Sequence, residues 1–205
     1  MIKAKGISKT YDKRVVIDKL DITVNTGELF SITGESGSGK TTLLNILGLL
    51  ENVDSGSVEL DNHVNPNKRE KMLLQREKIG YLFQNYGLIE NETVEENLKI
   101  ALTYKKMGDK KEKIREALGF VGLETYMKRK IFQLSGGEQQ RIALARVFLK
   151  EPCYIFADEP TGNLDSKNRD VVFGLLKELN DSGKTVVYVT HDMNLALKAT
   201  NSIDL

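Results

Sequence analysis

Hydrophobic and polar positions divide the first and last parts of the chain into two kinds of strand. Residues 20–24 alternate apolar and polar side chains, as a half-buried antiparallel strand does. Three other runs, 29–33, 154–157 and 186–190, are apolar with less alternation, which is typical of strands covered on both faces in a parallel sheet. The pattern therefore predicts an α/β fold in which an antiparallel portion accompanies a parallel sheet.

The middle of the chain has a helical pattern. Residues 92–104, 110–121 and 138–150 each mix charges with apolar residues three and four positions apart. We therefore predict a helical subdomain at about 85–150, inserted into an α/β core. The two segments that form this core are 1–84 and 151–205.

Composition excludes several classes of protein. The 205 residues include 30 Lys+Arg and 29 Asp+Glu, and 40% are hydrophobic, as in an ordinary soluble globular protein. The net charge of +1 argues against a dedicated nucleic-acid binder, because phosphate neutralisation needs an excess of basic residues. The single cysteine, Cys153, excludes an internal disulfide and gives no zinc-ligand set. We expect its side chain to be buried as a small hydrophobe.

Nothing in the sequence predicts a membrane span or a secretion signal. The most apolar stretch, 43–50, is broken by Asn45 and is far shorter than the ~20 residues that a transmembrane helix needs. Residues 1–6 show no apolar core of a signal peptide. We therefore expect a cytosolic protein, and, because the chain stops at Leu205, little or no C-terminal regulatory domain.

A glycine-rich segment between a predicted strand and a predicted helix carries the first chemical signal. Residues 34–41, Gly-Glu-Ser-Gly-Ser-Gly-Lys-Thr, fit the phosphate-loop pattern G-x-x-x-x-G-K-[ST]. The glycines let backbone N–H groups turn toward phosphate oxygens, and the helix N-terminus adds a favourable dipole. We expect Lys40 to contact the β- and γ-phosphates and the Thr41 hydroxyl to bind Mg²⁺. The alternative, a flexible Gly/Ser loop, is disfavoured by the flanking strand and helix.

Two carboxylates, Asp158 and Glu159, follow the apolar strand 154–157. Ligands of doubly wound sheets lie beyond the carboxyl ends of strands, which is where this pair falls. We expect Asp158 to hold the metal through water and Glu159 to orient and deprotonate the water that attacks the γ-phosphate. Taken alone, the pair could simply begin a turn before Pro160.

The segment 134–140, Leu-Ser-Gly-Gly-Glu-Gln-Gln, is the most informative one. Ser135, followed three residues later by Glu138, predicts a capping box at the start of a helix. Gly136 and Gly137 leave bare N–H groups there, which makes a second anion site. The Ser-x-x-Glu spacing alone is more often an ordinary capped helix start, and the full heptapeptide argues against that alternative.

Together these three motifs resemble the ATP-binding subunit of an ATP-binding cassette (ABC) transporter, over essentially the whole chain. The resemblance implies a P-loop NTPase core of the ABC ATPase type that binds ATP and Mg²⁺ and hydrolyses ATP. Residues 157–165 are similar to the group that serves lipoprotein release, macrolide export and antimicrobial-peptide resistance. Residues 79–91 look closest to bacteriocin exporters.

Further site residues follow from the resemblance alone. It implies that Tyr11 stacks on adenine beside Val16 at the ribose, and that Gln84 reaches Mg²⁺ and the attacking water. It places Asp165 at a dimer seam and His191 on the γ-phosphate. The implied catalytic residues are Glu159, His191 and Gln84, and the implied metal ligands are Thr41, Gln84 and Asp158. The remaining nucleotide contacts are Gly34, Ser36, Gly37, Ser38, Gly39, Lys40, Thr41, Thr42, Ser135, Gly136 and Gly137.

Each of these residues has a plainer alternative. Tyr11 could be an ordinary strand aromatic. Gln84 and Asp165 could be surface polar residues, which is the default for their types. His191, which is followed by Asp192, could belong to the cap of the next helix.

The resemblance also implies an assembly. In a head-to-tail homodimer, Ser135 and its two glycines would close over the phosphates held by Lys40 of the other copy. A separately encoded integral membrane permease would hold the dimer at the inner face of the cell membrane and carry a peptide, a bacteriocin or a lipophilic substrate. We expect no nucleic-acid partner and no direct membrane span.

Two other functions are less consistent with this sequence than transport is. A soluble ABC ATPase of DNA repair or translation would show tandem cassettes or a long coiled coil, and this chain has neither. A regulatory nucleotide-binding module without turnover is disfavoured by Glu159.

Overall fold

The structure is a computed structural model that describes residues 1–105 and 108–205. The strands are β1 (Ile2–Tyr11), β2 (Arg14–Val24), β3 (Leu29–Thr33), β4 (Ser55–Leu60), β5 (His63–Val64), β6 (Ile79–Leu82), β7 (Tyr154–Asp158), β8 (Thr185–Val189) and β9 (Asn201–Asp204). The α-helices are α1 (Lys40–Leu47), α2 (Lys68–Glu77), α3 (Val94–Lys99), α4 (Lys110–Phe120), α5 (Gly136–Lys150), α6 (Ser166–Asp181) and α7 (Met193–Ala196).

An antiparallel sheet forms the N-terminal portion, in the order β2-β1-β4-β5. Ile22 and Val24 of β2 are buried while their neighbours are exposed, so the prediction of a half-buried antiparallel strand is confirmed. Asp12 and Lys13 join β1 to β2 with φ of 45° and 68°, and a two-residue turn with both φ positive matches the natural twist of a hairpin. This turn sets Tyr11 directly opposite Arg14.

A parallel sheet carries the functional side of the molecule, in the order β6-β7-β8-β3-β9. Every residue of β3, β7 and β8 is buried, as their unalternating apolar sequence predicts. Successive residues of β7 enter different cores. Ile155 belongs to a cluster with the helices of the middle segment, and Phe156 to a cluster with α1 and the antiparallel sheet.

Helices occupy the segment 85–150, where the sequence predicts them. The predicted helix 92–104 is shorter in the structure, because α3 ends at Lys99 and a 3₁₀ turn continues to Leu102. Buried residues of all three helices share one apolar cluster, including Leu98, Ile114 and Ile142. The division of the chain into a core and a helical subdomain stays a prediction.

One side chain departs from its expected place. Cys153 is exposed rather than buried, because it lies in the turn before β7, where its backbone N–H donates to the carbonyl of Lys78. Within residues 1–105 and 108–205, no helix has both the length and the hydrophobicity that crossing a membrane requires.

Candidate functional site

The phosphate loop connects β3 to α1 at the carboxyl edge of the parallel sheet. Gly39 has a φ of 104°, and a Cβ atom built there would lie 2.6 Å from Cγ1 of Val16. Only glycine therefore fits, since the position is left-handed and closely approached by the hairpin. Because Gly39 has no side chain, a phosphate can approach its backbone closely.

Two polar side chains of the loop, Lys40 and Ser38, differ in their surroundings. Lys40 Nζ folds back and donates to the carbonyls of Gly34, at 2.9 Å, and Glu35, at 2.6 Å. The hydroxyl of Ser38 is buried and has no hydrogen-bond partner. A buried polar atom without a partner is costly unless a ligand satisfies it. The group that this loop offers to the cleft is therefore the cation of Lys40, which suits a polyphosphate, whereas Ser38 lines neither cleft.

A cleft of about 530 Å³ opens over this loop, within the size range of small-molecule sites. It brings together most of the residues that the sequence singles out. The lining residues are Arg14, Val16, Gly34, Ser36, Gly37, Gly39, Lys40, Thr41, Thr42, Gln84, Glu159 and His191.

Oxygen donors meet beside this cleft. Thr41 Oγ1 donates to Asp158 Oδ1 at 3.0 Å, and both residues line an adjoining cleft together with Gln84. Burial raises the pKa of the Asp158 carboxyl, and the nearby charge of Glu159 adds to the effect, while the Thr41 hydroxyl opposes it. Hydroxyl, amide and carboxylate oxygens suit Mg²⁺, which takes few protein ligands alongside substrate phosphates.

The protein alone does not make a complete metal centre. Among the residues that the structure describes, no cluster of three or more His, Cys, Asp or Glu side chains could hold a metal ion. A Mg²⁺ ion at Thr41, Gln84 and Asp158 would therefore depend on phosphate oxygens for the rest of its ligands.

Glu159 and His191 are joined at the mouth of the main cleft. His191 Nδ1 lies 2.6 Å from Glu159 Oε2, in a hydrogen bond that the carboxylate accepts. Glu159 has a φ of 44°, which is uncommon for a residue with a side chain. Strain of this kind persists where surrounding structure enforces it, often at functional sites. The strained backbone directs the carboxylate toward His191 and the cleft.

The segment Ser135-Gly136-Gly137 lies elsewhere. Ser135 caps α5, and its backbone N–H donates to Glu138 Oε2 at 2.8 Å while its hydroxyl accepts from the N–H of Glu138, so the predicted capping box is present. A hydrogen bond from Tyr126 lowers the pKa of Glu138. Neither of the two clefts is lined by Ser135 or the two glycines.

Comparisons with known proteins agree with this geometry. The sequence profile described as "ABC transporter" matches residues 17–162. The lipoprotein-releasing system ATP-binding protein LolD of Bacteroides thetaiotaomicron is 41% identical, over 96% of this chain and 92% of its own length. This chain belongs to the ABC transporter family.

Two further proteins are similar to this ABC cassette. The macrolide export ATP-binding/permease protein MacB of Bdellovibrio bacteriovorus is 40% identical, over 100% of this chain and 32% of its own length. The chain thus spans about a third of the length of the MacB relatives. Among solved structures, this chain is similar to the ATP-binding cassette MJ0796 of Methanocaldococcus jannaschii. That structure is a dimer in a post-hydrolysis state, bound to ADP and Pi. The TM-score is 0.90, at 39% identity over 100% of this chain and 94% of that one.

Besides Ser135 and its two glycines, three of the expected site residues of the cassette line neither cleft: Tyr11, Ser38 and Asp165. Tyr11 ends β1 with 42% of its surface exposed, and it reaches the site only through Arg14 opposite. Asp165 caps α6 by accepting from the N–H of Asn168 at 2.9 Å, which lowers the pKa of Asp165. The roles of Tyr11 at adenine and of Asp165 at a dimer seam stay predictions.

The sequence did not single out Arg14 and Asn45, which line the clefts of the cassette, or Tyr81, which contacts Asn45. Arg14 Nη2 donates to the Gly37 carbonyl at 3.2 Å. The Tyr81 hydroxyl donates to Asn45, which lies one helical turn beyond Thr41. The turn at Asp12 and Lys13 is the one feature of the sequence that could have indicated a role for Arg14. This turn brings the start of β2 beside the phosphate loop.

Proposed function

We propose that this chain is the ATP-hydrolysing subunit of an ABC transporter, in which ATP binding and hydrolysis in a head-to-tail homodimer drive transport through a separate permease. The observation that carries the proposal is the convergence of Lys40, Gln84, Glu159 and His191 on one cleft. A cation, a metal-facing amide and a carboxylate held by an imidazole are the groups that phosphoryl transfer to water requires.

The residues would act in sequence. Lys40 would exchange its two loop carbonyls for phosphate oxygens, a stronger charge-assisted contact. Thr41, Gln84 and Asp158 would hold Mg²⁺, which neutralises charge on the β- and γ-phosphates when bound. Glu159 would take a proton from the attacking water, and His191 would hold that carboxylate in place through the 2.6 Å hydrogen bond.

The second copy supplies what one copy lacks. Ser135 and the N-terminus of α5 line neither cleft, although bare N–H groups at a helix start favour an anion. In the dimer they would bind the γ-phosphate held by Lys40 of the other copy. The dimeric state of the similar cassette MJ0796 with ADP and Pi supports this arrangement.

We further propose that the dimer is cytoplasmic and bound to the inner face of the cell membrane through the permease. The LolD relative, named an ATP-binding protein, matches this chain over nearly its whole length, which supports a separate permease. The names of the relatives refer to lipoprotein release and to macrolide export, so peptides, bacteriocins and lipophilic molecules all stay candidate substrates.

Variants of Lys40 and Glu159 test the proposed chemistry. Lys40→Ala should weaken MgATP binding by about 1.5–3 kcal/mol in calorimetry, because a charged hydrogen bond is lost. Glu159→Gln should retain binding and lose roughly 10²–10⁴-fold in turnover. Glu178→Gln, at an exposed position of α6, is the matched control and should change neither. Unchanged turnover in Glu159→Gln would exclude this carboxylate as the base.

Assembly is tested with the same variant. Glu159→Gln should form a dimer in light scattering with ATP and remain a monomer with ADP, since ATP that cannot be hydrolysed stabilises the closed form.

Co-purification with the permease encoded by a neighbouring reading frame tests the transport role. Turnover without any membrane association would favour the soluble ABC ATPases of DNA repair or translation.

A further inference from the structure

The backbone just after Gln84 turns through two consecutive left-handed residues, of which one, Tyr86, is not a glycine. Tyr86 and Gly87 have φ of 63° and 58°, both in the left-handed region. For Tyr86 this conformation is uncommon and costs free energy, so the surrounding structure must enforce it.

Arg146 is the group that holds this strained segment. Its Nη2 donates to the Tyr86 carbonyl at 3.0 Å, and its Nη1 donates to the Gly87 carbonyl. The planar guanidinium fork suits two consecutive carbonyls, whereas a lysine ammonium is a point charge without that geometry. The side chain of Arg146 therefore fixes the direction of both peptide units.

The position of Arg146 is an expensive place for a cation. Burial lowers the pKa of its guanidinium. Across residues 1–105 and 108–205, none of the ion pairs includes Arg146, and the two carbonyls are its hydrogen-bond partners. Removing the guanidinium from water costs free energy, and hydrogen bonds to two neutral carbonyls offset only part of that cost. Arg146 therefore contributes little to stability, which points to a positioning role.

The same helix carries Gly136 and Gly137, the glycines proposed to bind the γ-phosphate. Arg146 lies on α5, which begins at Gly136 beside Ser135. The Tyr86 side chain runs back to that end of the helix, since a Cβ atom built at Gly136 would lie 3.0 Å from Tyr86 Oη. The segment after Gln84 is thus in contact with α5 at its N-terminus and at Arg146.

We propose that Arg146 is a positioning residue that makes Gln84 and the N-terminus of α5 move as one unit. This inference rests on the proposed function, in which Gln84 contacts the nucleotide of its own copy and Ser135 that of the other copy. Closure of the dimer must place both groups at once. A rigid link between them lowers the ordering cost of closure.

Lys150 provides a matched control on the same helix. One turn after Arg146, its Nζ donates to the Gln75 carbonyl at 2.6 Å, and burial lowers its pKa as well. Its carbonyl partner belongs to α2 and not to the segment after Gln84. Lys150→Met should therefore lower stability without affecting closure.

The decisive experiment uses the Glu159→Gln background. Arg146→Lys, which keeps the charge, should raise the ATP concentration needed for half-maximal dimer by about fivefold or more. Its affinity for MgADP in the monomer should stay within about twofold, since Lys40, Thr41 and Asp158 do not contact Arg146 and still hold the nucleotide and its metal. Lys150→Met should dimerise at the same ATP concentration as the background. Equal ATP dependence for Arg146→Lys would overturn the inference.

Hydrogen exchange separates failure of this inference from failure of the proposed function. In the nucleotide-free chain, Arg146→Lys should speed amide exchange within 84–87, where the Tyr86 N–H donates to the Phe83 carbonyl, and Lys150→Met should not. A Glu159→Gln chain that never dimerises would contradict the proposed function, and the exchange result would still decide the role of Arg146. Unchanged exchange in Arg146→Lys would overturn that role, and Arg146→Gln gives a second variant.

Discussion

Thr41 and Asp158 are joined by a 3.0 Å hydrogen bond that connects the first turn of α1 to the last residue of β7. One turn further along α1, Asn45 accepts a hydrogen bond from Tyr81 of β6. The helix that follows the phosphate loop is therefore fixed to two adjacent strands. This arrangement sets the Thr41 hydroxyl at a defined place relative to the carboxylate and to Gln84.

The Thr41–Asp158 pair predicts a specific effect on magnesium. Asp158→Asn retains an oxygen that can accept from Thr41, so the helix stays in place while the charge is lost. We expect turnover to need about tenfold more Mg²⁺, because the loss of one charged contact weakens Mg²⁺ binding by about that factor. Titration of ATPase rate against Mg²⁺ measures this, with Asp170→Asn on the surface of α6 as the control. An unchanged Mg²⁺ midpoint would remove Asp158 from the metal site.

Tyr11 predicts an effect on base binding. If its partly exposed ring stacks on adenine, Tyr11→Ala should weaken ATP binding by about 1–3 kcal/mol. Tyr11→Phe keeps the ring and should bind ATP as the wild type does. Calorimetry with ATP gives both affinities. Equal affinity for Tyr11→Ala would make Tyr11 an ordinary aromatic of β1.

Ser135 predicts an effect on assembly alone. In the Glu159→Gln background, Ser135→Arg adds bulk and charge at the start of α5 and should abolish the ATP-dependent dimer. Each monomer should still bind MgATP, because Lys40 and Thr41 are unchanged. Ser202→Arg, at an exposed position in β9, should leave the dimer intact. A Ser135→Arg dimer of normal stability would argue against the head-to-tail interface.

Glu138 predicts a pH dependence of stability. Hydrogen bonds from Tyr126 and Ser135 lower its pKa below the ordinary 4.5, so its contribution is present above that pH and lost as pH falls through the folded pKa. Relative to Glu138→Gln, the wild type should lose about 0.5–1 kcal/mol of unfolding free energy between about pH 7 and pH 3. Urea unfolding of the two proteins at several pH values measures the difference. A difference that stays constant with pH would contradict the pKa shift.

Patterns confined to a few neighbouring residues were sufficient for much of the fold. The buried strands and the phosphate loop can be predicted from short segments. Each strand is a run of mostly apolar residues, and the loop is a run rich in glycine. Helix α2 gives no such signal, since only Leu74 among its residues is buried. Its clearest mark is the capping box between Asn67 and Glu70, which the hydrophobic pattern does not register.

Contacts between distant parts of the chain could not be predicted in this way. Arg14 lies 23 positions from Gly37 and Arg146 lies 60 from Tyr86, and each bonds a backbone carbonyl. A carbonyl is present at every position, so such a partner leaves no trace in the sequence. The exposure of Cys153 was missed for a similar reason, because the turn that directs it outward depends on the carbonyl of Lys78.

The alternation of β7 between two apolar clusters has a consequence for folding. Ile155 belongs to the apolar cluster that includes Ile142 of the middle helices, and Phe156 belongs to the cluster that includes Ile7 of the antiparallel sheet. Loss of either cluster strips one face of the same strand and exposes it to water. The two clusters are therefore expected to melt together, and heating should give one cooperative transition rather than two.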